Sequence, residues 1–228
     1  MIIASSTRHG GAGSTDQGVD IWRSSSANGW ERVESIDTGA NAPYGMAWYS
    51  STEFYAAESD NKLRSYASGS GGWTKTERGS LRSNTNQFIF FSPSKTRLIT
   101  TPSNSNSPSS ADYVTMLVSS SAEWSATQVG NSQIVAKPSA ITWPTDDDVL
   151  IGMSAYGTNT GRVTHMRYDG SSGWDFVMKT DGFNGSQGAR QLGSLLHYNT
   201  SSNELLIGAH ISGEAVINVV QSASGGYF

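Results

Sequence analysis

An all-β repeat fold follows from three features of this 228-residue sequence. Helical periodicity is nearly absent, while short alternating or β-branched runs recur between clusters of Gly, Asn, Asp and Ser. Five times a Ser/Gly-rich run leads into an aromatic residue: SSSANGW at 24–30, ASGSGGW at 67–73, SSSAEW at 119–124, DGSSGW at 169–174 and SASGGYF at 222–228. The aromatics are Trp30, Trp73, Trp124, Trp174 and Tyr227, spaced by 43, 51, 50 and 53 residues. A period of that length decides architecture, because one unit cannot bury its own apolar face and must stack on its neighbours.

Each period reads as four strands, a to d. The first holds b, c and d only: Ile2–Ser6, Val19–Ser24 and Trp30–Ile36. The second holds Tyr44–Ser50, Glu53–Glu58, Lys62–Ala67 and Trp73–Arg78, and the third Gln87–Ser92, Arg97–Thr101, Tyr113–Ser119 and Trp124–Val129. The fourth holds Ser139–Trp143, Val149–Ala155, Arg162–Tyr168 and Trp174–Thr180, and the fifth Leu192–Tyr198, Glu204–Ile211 and Ala215–Ser222. The a–b links YSSTE, SPSKT, PTDDD and NTSSNE are made of the residues tight hairpins need. The a strands (GMAW, FIFF, SAITW, GSLLH) are apolar and rich in small residues, which suits a crowded inner position. The d strands (WERVES, WTKTER) are charged, which suits an edge protected from further pairing. The polar link 102–112, with two prolines, predicts a surface loop.

Four-stranded antiparallel units repeated in this way predict a five-bladed β-propeller whose terminal blades are incomplete. It forms one domain over 1–228, with blades near 1–37, 40–80, 86–131, 137–181 and 190–228. A two-sheet sandwich is the alternative, but it leaves the period unexplained. Both end pieces contain b and c, so they cannot merge into one blade. The expectation is a chain cut short, or a partner chain that completes the last blade.

Composition excludes several functions. There are no cysteines, so disulfides, thiolate metal sites and cysteine nucleophiles are ruled out. Lys and Arg number 15 against 19 Asp and Glu, a net charge of −4, with no basic run to attract nucleic acid or an anionic membrane. No stretch has the length of a transmembrane helix. MIIASSTRHGG is too short and polar for a signal peptide. GAGSTDQG at 11–18 opens no helix and is not a phosphate loop. No cofactor is expected.

Catalytic signals are weak. Five-bladed propellers can host glycosidases, which need paired carboxylates facing the axis, yet the a strands contain no Asp or Glu. No GxSxG elbow is present. His9, His165, His197 and His210 lack metal-ligand spacing, although His197 and His210 fall on neighbouring strands. Asp146, Asp147 and Asp148 lack the glycine and terminal glutamate of a calcium loop and read as a solvated turn. Asn184 and Asn199 begin glycosylation-type triplets, which here mark loops.

The segments EFYAAESDNKLRSYASGSGGW at 53–73 and SAITW with VLIGMSAYGTNTGRVTHMRYDGSSGW at 139–174 resemble the blades of fungal fucose-specific lectins, with tachylectin-type propellers as a second choice. The resemblance covers the blade pattern over most of the chain and implies a propeller with sugar pockets between blades. It does not extend to the family's sugar-holding Arg and Glu, since Glu53 and Ser65 stand at those positions in one blade and His165 or Met166 near the second position in another. What it implies is a non-catalytic, lectin-like carbohydrate-binding module for glycans or glycoproteins. Of its site residues the resemblance retains the aromatics Trp73 and Trp174; read from the residues themselves, Trp30, Trp73, Trp124 and Trp174 would either stack on sugars or pack between adjacent blades, and Arg64 and Arg162, on c strands, would either bond ligand oxygens or serve as surface or inter-strand partners. The alternatives are a structural or protein-interaction module of a larger assembly and, third, a glycosidase-like propeller.

Overall fold

The computed structural model describes residues 2–8, 17–26, 29–81, 86–102, 115–120, 123–128, 138–153, 161–170, 174–181, 190–211 and 214–221. Among them there is no helix, and the strands form small antiparallel sheets. β1 (Ile2–Arg8), β2 (Gln17–Ser25) and β3 (Gly29–Gly39) make a three-stranded sheet in chain order. β4 (Pro43–Trp48), β5 (Glu53–Glu58), β6 (Lys62–Gly69) and β7 (Gly72–Ser80) make a four-stranded one. β8 (Asn86–Phe91), β9 (Arg97–Pro102), β10 (Thr115–Ser120) and β11 (Glu123–Gln128) follow in the same way. So do β12 (Ala140–Thr142), β13 (Asp148–Met153), β14 (Arg162–Tyr168) and β15 (Trp174–Asp181). β16 (Arg190–Asn199), β17 (Glu204–Ile211) and β18 (Glu214–Gln221) close the series as a three-stranded sheet.

The strands are those the repeat predicts, and they group into sheets as predicted. What is established is an all-β fold of several small antiparallel sheets. The chain divides into two compact units, Met1–Ile89 with Leu117–Ala126 and Phe90–Met116 with Thr127–Phe228, and the division runs through the β8–β11 sheet. The runs 103–114 and 222–228, with the predicted surface loop and Tyr227, lie outside the described residues.

In the first unit both faces of β5 are covered. Phe54 and Ala56 join Val19, Ile21, Ile36 and Tyr66 in one buried cluster, edged by Met46, Trp48 and Trp73. The Phe54 and Tyr66 rings stack 4.9 Å apart, and Trp48 meets Phe54 edge-on at 5.4 Å, both favoured aromatic geometries. Tyr55 points to the opposite face, where Trp124 meets it edge-on at 5.9 Å. The sequence FYAA reads as a continuous apolar run because the strand is buried on both sides.

The second unit repeats this plan. Every residue of β13 is buried. Val149, Ile151 and Met153 pack with Ile99, Ile141, Trp143, Met166 and Trp174, while Leu150 packs with Val163, Leu196, Leu205, Ile207 and Ala209. Beside them two backbones touch. A Cβ on Gly152 would stand 2.2 Å from the Gly193 carbonyl oxygen, and Gly193 has φ +81°. Ser139 bridges the crossing by donating its hydroxyl to the carbonyls of Gly193 (2.9 Å) and Gly152 (3.1 Å). Because the obstacle is backbone, Gly152→Ala is expected to cost about 2–3 kcal/mol and to lower Tm by roughly 4–12 °C in a melt followed by far-UV circular dichroism. An unchanged melt would refute the crossing.

Candidate functional site

Alternation along β5 places Phe54, Ala56 and Glu58 on one face. Register brings Arg64 opposite Ala56 and Tyr66 opposite Phe54 on β6, then Glu77 opposite Arg64 and Lys75 opposite Tyr66 on β7. One sheet face is therefore aromatic at one end and ionic at the other. The turn between β5 and β6 is made by Asn61, whose left-handed backbone (φ 62°) lets its amide bond the Glu58 carbonyl at 3.0 Å.

Glu58 is the centre of the ionic end. Its side chain has no exposed surface, yet it faces two cations: Arg64 Nη1 at 2.6 Å and Lys75 Nζ at 3.0 Å, both on Oε2. The Tyr66 hydroxyl donates to Oε1. Arg64 also grips Asp60 through two hydrogen bonds of 2.6 and 2.8 Å, and Lys62 bonds Glu77 at 2.7 Å. Lys75 reaches across to the Thr38 carbonyl (3.0 Å), and Trp73 Nε1 reaches Glu34 (2.6 Å), so β7 is tied to β3 at two points. The Arg64 hydrogen bonds hold the Asp60 carboxyl below its ordinary range. Asp60 and then Glu58 push the Arg64 guanidinium up against its burial. Burial, then the bond to Glu58, pushes the Tyr66 phenol well up, so it stays a donor. This is a buried carboxylate roofed by two cations.

A second polar centre lies in the second unit. Asp148 begins β13 and is buried, which corrects the expectation of a wholly solvated Asp146–Asp148 turn. Its Oδ1 accepts from His165 Nε2 and Arg167 Nε, both at 2.7 Å, and its Oδ2 accepts from Thr145 at 2.9 Å. Asp146 accepts the Ser94 amide (2.8 Å), and Asp147 pairs with Arg97 (2.7 Å), whose guanidinium lies 4.3 Å from the centre of the Tyr168 ring. The turn is thus drawn inward because its acids cap other strands. Burial pushes Asp148 up, but the bonds from Arg167, His165 and Thr145 more than reverse this, and its pKa falls below 3.8. Burial lowers His165 below 6.5, with Asp148 opposing.

The residues expected to bind ligand are not brought into equivalent sites. The four tryptophans open their outer strands, Trp30 opposite Ser24, Trp73 opposite Ser68 and Trp174 opposite Tyr168. Their surroundings differ widely: Trp30 is 44% exposed, Trp73 is half-buried, and Trp124 and Trp174 are buried against Tyr55 and Trp143. Arg64 lies in the Glu58 network, and Arg162 is buried at the start of β14. His197 stands opposite Leu206 and His210 opposite Arg190, so those histidines are not cross-strand partners. Among the described residues no group of three His, Asp or Glu is placed to hold a metal ion. Sequence reading passed over Glu58, Tyr66, Lys75 and the Asp148 hub. The available signal was a carboxylate ending the otherwise apolar face Phe54–Ala56–Glu58.

No protein-family model matches the chain, and no curated protein matches it. Its fold is similar to that of a solved Bacteroides uniformis structure described as a "putative 6-phosphogluconolactonase", with a TM-score of 0.62 over 94% of this chain at 15% identity. The match covers 63% of that chain, so this chain spans less than two thirds of its neighbour's length. At that identity the likeness is one of fold. It supports the all-β fold and not a fucose lectin. It also corrects two expectations, a non-catalytic carbohydrate-binding module and the absence of an enzyme, because the structure that shares the fold carries an enzyme's name. Carboxylates were expected on the a strands, whereas the buried carboxylates lie on b strands, Glu58 as the last residue of β5 and Asp148 as the first of β13.

Removing the charge from Glu58 leaves Arg64 and Lys75 facing a poorer acceptor. Glu58→Ala is expected to cost about 3 kcal/mol, read as a drop in urea midpoint. Acid should weaken the second unit in two stages. The lowered His165 pKa favours the neutral ring in the folded state, so its contribution is intact above 6.5 and is lost as pH falls below that value. Asp148 adds a second loss below 3.8. Urea midpoints measured from pH 7 to 4 should fall, and His165→Gln should flatten that slope; an equal slope in the variant would refute the assignment.

Proposed function

We propose that the five sheets are blades of one propeller and that the chain belongs to an enzyme that opens the lactone ring of a phosphorylated sugar acid. The observation that carries this is the fold likeness over 94% of the chain to a protein named for that activity. The Glu58 cluster supplies matching chemistry. A phosphorylated substrate is anionic, and Arg64 and Lys75 are the cations best placed to meet it, being 12% and 32% exposed at the mouth of the buried carboxylate. As the substrate anion draws these two cations, it uncovers Glu58 Oε2. Glu58 then takes a proton from water as the oxygen adds to the ring carbonyl. The proton passes to the ring oxygen as the carbon–oxygen bond breaks, giving the open hydroxy acid. Tyr66 holds the other carboxylate oxygen in place.

The test is acid release by the purified chain with phosphorylated and unphosphorylated gluconolactone, read against spontaneous hydrolysis. Acceleration confined to the phosphorylated substrate is expected, with Glu58→Gln at least a hundredfold slower and Arg64→Met raising KM. No acceleration over the uncatalysed rate by folded protein sinks the reading. A folded Glu58→Gln variant with unchanged turnover would assign the cluster to stability alone.

A further inference from the structure

The carboxylates around Arg64 are held in different ways. Glu58 is fully buried, and Asp60 meets Arg64 through two hydrogen bonds of 2.6 and 2.8 Å. Glu77 is half exposed. Its Oε1 accepts from Lys62 at 2.7 Å, but its Oε2 lies 3.8 Å from Arg64 Nη2, too far for a hydrogen bond. Glu77 is thus the least firmly held of these acids. Lys62 also donates to Ser80 Oγ at 3.0 Å, so its ammonium stays anchored when Glu77 moves.

A β-bulge puts Glu77 in this place. Lys62 stands opposite Ser80 and Leu63 opposite Gly79, so unbroken register would set Arg64 against Arg78. The register shifts after Leu63, and Arg64 faces Glu77 instead. Arg78 turns to the other face of the sheet, where it bonds Ser65 (2.8 Å) and Glu53 (3.3 Å). Gly79 pins the bulged stretch, since a Cβ there would stand 2.9 Å from the Trp124 carbonyl oxygen. Bulges are over-represented beside active sites, where they re-aim a side chain.

We infer that the Glu77 carboxylate is a built-in competitor for the substrate's phosphate, bridging Lys62 and Arg64 in the free protein and giving up both to a phosphate monoester. This rests on the proposed function in placing that phosphate beside Arg64, and it adds Lys62 to the cations there. The two oxygens of one carboxylate already span Lys62 and Arg64. A phosphate brings three oxygens and up to twice the charge, so it closes the long Arg64 contact that Glu77 leaves open. Glu77 then swings into the solvent it already faces. A neutral lactone lacks the charge to displace it.

Titration of the purified chain with inorganic phosphate at constant ionic strength, followed by phosphorus NMR, tests this. Glu77→Gln should tighten binding roughly twofold to thirtyfold, the range for freeing two exposed ion pairs. Glu31→Gln removes an equal charge outside the cluster and should change little. Lys62→Met should weaken binding, and in its background the gain from Glu77→Gln should shrink. Phosphorylated gluconate should compete with phosphate, and gluconate should not. Circular dichroism melts check that each variant folds. No binding by folded Glu77→Gln up to tens of millimolar, an affinity equal to that of the parent chain, an undiminished gain without Lys62, or failure of phosphorylated gluconate to compete would each overturn the inference. Tightened phosphate binding without lactone opening sinks the enzyme reading alone, whereas lactone opening with unchanged phosphate affinity in Glu77→Gln sinks this inference alone.

Discussion

Two-sided burial of the middle strands is the constraint from which the rest follows. β5 and β13 present apolar side chains to both faces, so neither sheet can end at a solvent face without exposing a layer of aromatic and branched residues. At ~25 cal/mol per Å² such a layer outweighs the polar contacts around it. The sheets built on β5 and β13 must therefore each be covered on both faces. The polar hairpins and outer strands take whatever surface is left.

Ionic groups buried beside these strands need partners, and both polar centres answer that need in the same way. Glu58 at the end of β5 and Asp148 at the start of β13 are each buried and gather three donors. Around Glu58 three carboxylates (Glu58, Asp60, Glu77) meet three cations (Lys62, Arg64, Lys75), so the cluster is neutral as a whole yet strongly polarised within. A neutral cluster tolerates burial, and a polarised one can exchange a carboxylate partner for another anion. Stability and substrate binding would then draw on the same contacts.

The strands were legible in the sequence because strand pattern is local. β5, β14 and β17 coincide with their predicted limits, and the others differ mainly at their ends. Sheet membership was legible because hairpin links are short. The environment of the repeated tryptophans was not: Trp30 and Trp124 share one motif and one place in the strand order, yet one is exposed and the other buried, since cover comes from a neighbouring sheet that the motif does not encode. Asp148 misled for a related reason, since the donors that hold it, His165 and Arg167, come from the next strand of its own sheet, seventeen and nineteen residues away. Glu58 could have been found by following one face of β5 to its end.

The glycine crossing bears on how far the repeats are interchangeable. Counted from the first residue of each strand, Gly152 of β13 occupies the place that Ala57 holds in β5, opposite Val163 in one sheet and Leu63 in the other. A single methyl group separates the two copies. It fits in one sheet, and in the other it would land on the carbonyl of Gly193. The β4–β7 unit could not be transplanted into the place of β12–β15 without this change. Similar as they look on the page, the repeats have become parts with fixed addresses, and a protein assembled from identical copies of one of them would have to find a different spacing between its sheets.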